Sequence, residues 1–146
     1  MLYRRATVDD IPYFVESRKI TLEREDDDSI DGILTEYFSN AMSDNILIGW
    51  VAEDNGLVIS TVCFIVCPLV PNFTNLSGKV AYITAMHTAP TYRYRGVATN
   101  LMREVINDVK AQGIKKILLN STDMGRSMYE KLGFIKNERY YEMVMI

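Results

Sequence analysis

The sequence predicts a single α/β domain on a mixed central sheet of about seven strands, flanked by about four helices, because strand-type alternation and helical spacing take turns along the chain. Three observations carry the prediction. Two β-branched runs meet at Asn55-Gly56, a hairpin signal. A strand, loop, helix and strand follow one another over residues 79–120, which predicts a right-handed parallel crossover. No repeat, low-complexity tract or Pro/Gly/Ser linker divides residues 1–146 into separate folding units.

Leu2 to Ala6 reads as a short first strand. Thr7 is an N-cap candidate with Asp9 and Asp10 in the first turn and Pro12 near the start, so a helix is expected from about Val8 to Leu22. Glu23 to Asp28 carries five carboxylates and one arginine and reads as a solvated connection. Ile33, Leu34, Tyr37 and Phe38 give helical spacing to Ile30 to Met42. Ile46 to Glu53 and Leu57 to Cys67 are the hairpin strands, joined through Asp54, Asn55 and Gly56.

After a connection from Pro68 to Gly78, Lys79 to Thr88 reads as a strand ended by Pro90. Leu101, Met102, Val105, Ile106 and Val109 form an apolar stripe on a helix from Thr99 to Gln112, with Gly113 as its C-terminal cap. Lys115 to Asn120 is a further apolar strand, and Met124 to Leu132 a short helix ended by Gly133. Phe134 to Asn137 and Tyr140 to Ile146 are expected to close the chain as a hairpin.

With 48% hydrophobic and 24% charged residues, the chain has a globular composition and length enough to hold a core without disulfide or structural metal. Cys63 and Cys67 would lie roughly 13 Å apart along one strand face, beyond disulfide reach. Two free buried thiols are expected, with a reducing, cytoplasmic compartment. A net charge of −3 with dispersed Lys and Arg argues against nucleic acid. No run approaches the ~18 apolar residues of a membrane span, and no apolar segment follows the basic N-terminus, so neither membrane insertion nor export is expected.

Between the strand ending at Thr88 and the helix after it lie Arg93, Tyr94, Arg95, Gly96, Val97 and Ala98. Their position carries more information than their letters. A helix start presents unpaired N–H groups and the positive end of a dipole, which suits a diphosphate, while small residues let phosphate oxygens approach the backbone. Arg93 and Arg95 add charge-assisted donors. No Gly-Lys-Ser/Thr follows, which argues against a P-loop nucleotide enzyme, and the second glycine spacing of a dinucleotide fingerprint is missing.

On these residues the chain resembles the GCN5-related N-acetyltransferase (GNAT) superfamily. Tyr82 to Thr99, YITAMHTAPTYRYRGVAT, is similar to that family's cofactor-binding motif, and Met128 to Phe134, MYEKLGF, to its later signature. Leu2 to Ile11 is similar to the family's opening strand and helix start, so the resemblance spans nearly the whole chain. It implies a GNAT-like sheet that splays after the fourth strand, with the pantetheine arm of acetyl-CoA in the gap. Backbone groups of Met86 and Thr88 would hold that arm, and the amides of Arg95 to Thr99 the pyrophosphate. The implied reaction is direct attack of a primary amine on the thioester in a ternary complex.

Such a transfer needs an unprotonated amine, a donor to the developing oxyanion and a proton for the leaving thiolate. By the resemblance, Tyr129 supplies the proton and the strand amide at Met86 faces the oxyanion. A phenol of pKa about 10 is a weak acid toward a thiolate of pKa about 8.5, so positioning matters. The chain departs from the family twice: Lys79 to Thr88 contains no Asp or Glu to act as base, and the Asn usual seven residues before the tyrosine is Thr122. His87, Tyr82 and ordered water stand as alternatives for the base. Asn120, Ser121 and Arg126 stand as replacements for the missing amide.

The acidic run Glu23 to Asp28 either steers a cationic amine acceptor, such as a polyamine, aminoglycoside or lysine side chain, or is a solvated charged surface. Trp50, Tyr37 and Phe38 either line a pocket or pack in the core. The rival reading is a CoA-binding sensor or interaction module without transferase activity, favoured by the missing carboxylate and opposed by Tyr129. A structural domain binding no cofactor would require both motifs to be coincidental. The C-terminal strands offer an edge through which a homodimer could form.

Overall fold

A computed structural model describes residues 1–145. The elements in chain order are β1 (Leu2–Arg5), α1 (Ile11–Thr21), α2 (Asp31–Ser43), β2 (Leu47–Asp54), β3 (Leu57–Pro68), β4 (Lys79–Thr88), α3 (Val97–Ala111), β5 (Ile117–Leu119) and α4 (Arg126–Lys131). The strands form one mixed sheet in sequence order, β1 to β4 antiparallel and β5 parallel to β4.

The hairpin turn follows from its residues: Asn55 and Gly56 both take positive φ, 50° and 80°, as the two-residue turn between right-twisted strands requires. At the start of α1, the Thr7 N–H donates to Asp10 Oδ2 at 2.8 Å, and a short 3-10 turn over Val8–Asp10 precedes the helix proper. At the end of α3, Gly113 has φ 74° and its N–H donates to the Lys110 carbonyl at 3.0 Å, closing the helix in the left-handed conformation that glycine adopts without a Cβ clash.

The two sheet faces carry different cores. On one, Val62, Phe64, Ala81 and Ile83 pack against Leu101, Met102, Val105 and Val109 of α3 and Tyr129 of α4. On the other, Leu47, Val51, Cys63 and Ala85 pack against Phe14 and Val15 of α1 and Phe38 and Ala41 of α2. Fully buried side chains such as Phe14 and Leu101 each stabilise the fold by roughly 1.5–3 kcal/mol. Gly49 permits the second packing: a Cβ there would lie 2.8 Å from the Phe14 ring.

A buried carboxylate ties α3 to the sheet. Asp108 accepts from Arg5 Nε at 2.9 Å, from a second Arg5 nitrogen, from Trp50 Nε1 at 2.7 Å and from Gln112 Nε2 at 3.0 Å. Burial alone would push its carboxyl up, but these donors outweigh that and hold it below the ordinary carboxylate range.

Several expectations are corrected. The sheet has five strands where about seven are predicted: Phe134 to Asn137 and Tyr140 to Met145 are not strands, and Ile146 lies outside the described residues. Alternating apolar residues cannot make a strand without a ladder partner, and here Ile135, Tyr141, Met143, Val144 and Met145 stay exposed instead of burying a face. β5 is shortened to three residues for the same reason. Of the aromatic residues left open between pocket and core, Phe38 is core, Trp50 is half-buried against Asp108, and Tyr37 is exposed at 46%. Cys63 and Cys67 are free, but only Cys63 is buried, which pushes its thiol up to about 12, while Cys67 is half-buried.

Candidate active site

β4 and β5 pair only at Ala81–Ile117, Tyr82–Leu118 and Ile83–Leu119, so the C-terminal half of β4 runs on without a β5 partner. An irregularity in the β3–β4 register, where Ala85 has φ 54°, marks a bulge at the point of divergence. Beyond the bulge the Ala89 N–H donates to Ile59 of β3 at 2.8 Å, so by antiparallel alternation Thr88 directs its backbone groups to the open side. Arg93 Nε meets the Thr88 carbonyl there at 3.0 Å. Met86, beside the bulge, is half-buried, packed against the core cluster that holds Tyr129. The Thr88 side chain is buried, its hydroxyl 2.8 Å from that of Ser60.

The loop leaving β4 ends at α3. Tyr94 and Gly96 have positive φ, 60° and 78°. Gly96 is the N-cap, Asn100 makes the first helical bond to its carbonyl at 3.0 Å, and neither a side-chain cap nor an acidic residue serves the first turn. The N–H groups of Val97, Ala98 and Thr99 therefore start a 15-residue helix without intrahelical acceptors, a concentration of partial positive charge that suits an anion. A Cβ on Gly96 would meet nothing within 4 Å, so the space above the amides is open. These features fit a diphosphate.

The two arginines of the loop differ. Arg93 is held by the Thr88 carbonyl. Arg95 lies over the ring of Tyr92, 5.6 Å from its centroid, and the Tyr92 hydroxyl donates to Asp54 Oδ2 at 2.9 Å. The sequence reading missed this pair of supporting residues. Tyr92 could have been noticed beside the arginines, but Asp54, at the end of β2, carries no local signal that links it to them.

Tyr129 sits in α4, 8% exposed, in the core cluster against which Met86 also packs, with its ring edge-on to Phe134 at 5.7 Å between centroids. Burial raises the phenol's pKa, so it stays protonated at neutral pH. Gly125 makes room for it: a Cβ there would come within 3.0 Å of Tyr129 Cε2. The structure thus brings Tyr129 and Met86 into one cluster at the side of the sheet where β4 parts from β5.

The candidate bases lie differently. Burial first, then the charge of Arg93, lowers the His87 pKa against an opposing pull from Glu16, so the imidazole is neutral at physiological pH. Tyr82 accepts from Asn120 Nδ2 at 3.1 Å, across the β4–β5 pair. Of the three residues considered in place of the missing amide, Asn120 is therefore engaged with Tyr82, Arg126 with Asp123 at 3.4 Å, and the Ser121 hydroxyl with the Thr122 carbonyl at 2.7 Å.

The acidic run is partly structural. The buried ammonium of Lys19 pairs with Asp28 and with Asp31, and Asp27 accepts from the Ser29 N–H at 3.0 Å. Glu23, Glu25 and Asp26 remain exposed to solvent. Among the described residues, no group of three or more His, Cys, Asp or Glu side chains converges as a metal site.

Comparison with known proteins meets this geometry. The model of the acetyltransferase (GNAT) family matches residues 11–134, a span holding both the α3 start and Tyr129. A glucosamine 6-phosphate N-acetyltransferase of Trypanosoma brucei brucei is 32% identical over 69 residues, 47% of this chain and 47% of that protein. A probable N-acetyltransferase family 8 member 5 of Mus musculus is 29% identical over 100 residues, 66% of this chain and 42% of its own length. The matches thus span less than half of either curated relative. A crystal structure of a predicted acetyltransferase with acetyl-CoA from Clostridium acetobutylicum superposes with a TM-score of 0.89 at 36% identity, over 98% of this chain and 95% of that one. Sequence and fold agree over nearly the full length, and the chain belongs to the acetyltransferase (GNAT) family.

Proposed function

We propose that the protein transfers an acetyl group from acetyl-CoA to a primary amine, by direct attack of the amine while both substrates are bound. The observation that carries this reading is the uncapped start of α3 at the end of the loop leaving β4, together with a buried tyrosine packed in one cluster with Met86 of that strand. The amides of Arg95 to Thr99, with Gly96 for close approach and Arg93 and Arg95 for charge, would hold the pyrophosphate. Backbone groups of Met86 and Thr88 would hold the pantetheine arm. Acetyl-CoA supplies the activated acyl group and a thiolate leaving group.

In this reading the Met86 N–H donates to the acyl oxygen, and Tyr129, kept protonated by burial, delivers the proton to the departing sulfur. His87, neutral and half-buried on β4, or Tyr82 through water, takes the proton from the amine. The exposed Glu23, Glu25 and Asp26 favour a cationic acceptor, a small amine or a lysine-bearing peptide. A cytoplasmic site of action accords with two free cysteines. The exposed apolar residues of 135–145 are the surface through which two copies would pair, which sedimentation of the full chain beside a chain ending at residue 134 tests.

Calorimetric titration with acetyl-CoA, followed by a screen of amines for thiol release, tests the reading. Micromolar binding with thiol release on one class of amine supports it; failure to bind acetyl-CoA overturns it. One observation favours a second reading, a CoA-binding module without transferase activity: β4 carries no carboxylate. Tight binding with no acetyl transfer to any amine, peptide amines included, would select it.

A further inference from the structure

We propose that Tyr94 is a stacking platform for the adenine of the acyl donor, so that the loop selects a nucleotide-bearing thioester over the pantetheine arm alone. The inference rests on the reading of the α3 start as a diphosphate site and extends it to the part of the ligand beyond the phosphates.

Among the described residues, Glu23, Asn45, Asn55, Ala85 and Tyr94 combine a side chain with positive φ. Asparagine tolerates that conformation, and Ala85 sits at the bulge of β4. Tyr94 is the one aromatic side chain of the set, at φ 60°, where a Cβ crowds the backbone and glycine would be at ease. Packing does not offset that strain, because Tyr94 is 95% exposed. Tyr92, two residues earlier, shows what a structural tyrosine does in the same loop: its hydroxyl binds Asp54 and its ring carries Arg95.

The location supplies the ligand. Tyr94 precedes the N-cap Gly96 by two residues, and in CoA a single ribose separates the base from the diphosphate that the next amides would hold. An exposed ring at that position presents a π-face to a purine. Base–aromatic stacking needs no hydrogen-bond partner and asks only for a flat partner of the right size. The platform therefore recognises that a nucleoside is present, whichever acyl group the thioester carries.

The test follows the amide NMR signals of Val97 to Thr99, which report millimolar as well as micromolar binding, in wild type, Tyr94→Gly and Tyr94→Phe. Each is titrated with acetyl-CoA and with S-acetyl phosphopantetheine, which lacks the adenylate. Tyr94→Gly removes the ring and relieves the strain, so it should fold at least as well as wild type and weaken acetyl-CoA by about 5- to 160-fold, the range of base–aromatic stacking. Its affinity for S-acetyl phosphopantetheine should stay within about twofold, and Tyr94→Phe should bind both as wild type does. Unchanged acetyl-CoA affinity in Tyr94→Gly, or an equal loss with both ligands, overturns the platform and leaves the phosphate site standing. No acetyl-CoA binding by wild type overturns the phosphate site, and the platform with it.

Discussion

The two ends of α3 are built on opposite principles. Near its C-terminus, Asp108 collects donors from Arg5, Trp50 and Gln112, so a buried charge is fully used in joining helix to sheet. At its N-terminus, Val97, Ala98 and Thr99 have neither capping side chain nor acidic neighbour. A helix normally satisfies its first N–H groups with a Ser, Thr, Asp or Asn cap. With glycine at the cap, leaving them open forgoes only about a few tenths of a kcal/mol, which the packing of the rest of the helix tolerates. The contrast teaches a division of labour: the satisfied end holds position, and the unsatisfied end keeps donors free for the anion proposed to bind there.

That division can be broken most severely at the ligand end. Gly96→Glu puts a carboxylate against the proposed site of the pyrophosphate and a Cβ at φ 78°, and acetyl-CoA affinity should fall at least about 100-fold in calorimetry. Gly96→Ala carries the strain without the charge and should lose much less. A Glu variant that binds as well as wild type would remove the loop from the site.

Tyr129→Phe should lower kcat by about 100-fold, the lower end of what general acid catalysis contributes, while leaving acetyl-CoA affinity unchanged. Equal turnover in the two proteins would mean that the phenol serves only packing. At the anchored end, Asp108→Ala should leave Trp50 and Arg5 without their acceptor and cost about 2–3 kcal/mol, lowering Tm by roughly 5–10 °C. Acetyl-CoA affinity of the folded variant should stay near wild type, the reverse of the Gly96→Glu pattern. An affinity loss as large as that of Gly96→Glu would erase the division between the two ends.

The pH dependence of the anchor has a definite sign. The folded pKa of Asp108 is depressed, so its contribution is present above the unfolded pKa and is lost as pH falls through the folded one. Urea melts at pH values in the acid range should show wild type losing stability more steeply than Asp108→Ala. The smallest effect concerns His87, the one histidine of the chain. Its folded pKa lies below the ordinary value of 6.5 through burial and Arg93, so its share of stability fades as pH falls below that value. A single imidazole resonance titrating at or above 6.5 would contradict the burial, and with it the placement of a neutral base on β4.

The elements that frame the candidate site were legible from residues alone because their signals are local. The bounds of β4, the cations and glycine of the loop, and the start of α3 lie within one continuous stretch, and helix starts and glycine turns are set by the sterics of a few neighbouring residues. The supports were illegible. Nothing near Asp54 points to Tyr92, and nothing near Arg5 points to Asp108, 103 positions away. The bulge at Ala85 was equally hidden, since alanine in a strand gives no sign of positive φ.

The C-terminal segment shows the limit from the other side, because a strand is a relation between two segments. Tyr140 to Met145 has the apolar character of a strand but finds no ladder, whereas Leu57–Pro68 has neighbours on both sides. By itself the sequence determined the β2–β3 hairpin, through two residues that tolerate positive φ, and a helix start close behind Gly96, which lies at Val97 where Thr99 is expected. Tertiary structure alone decided where β4 leaves β5, how Asp108 and Lys19 are neutralised, and which way Tyr129 is buried. Backbone sterics act over a few bonds, while the pairing of buried charges and strand edges depends on which distant segments the core brings together.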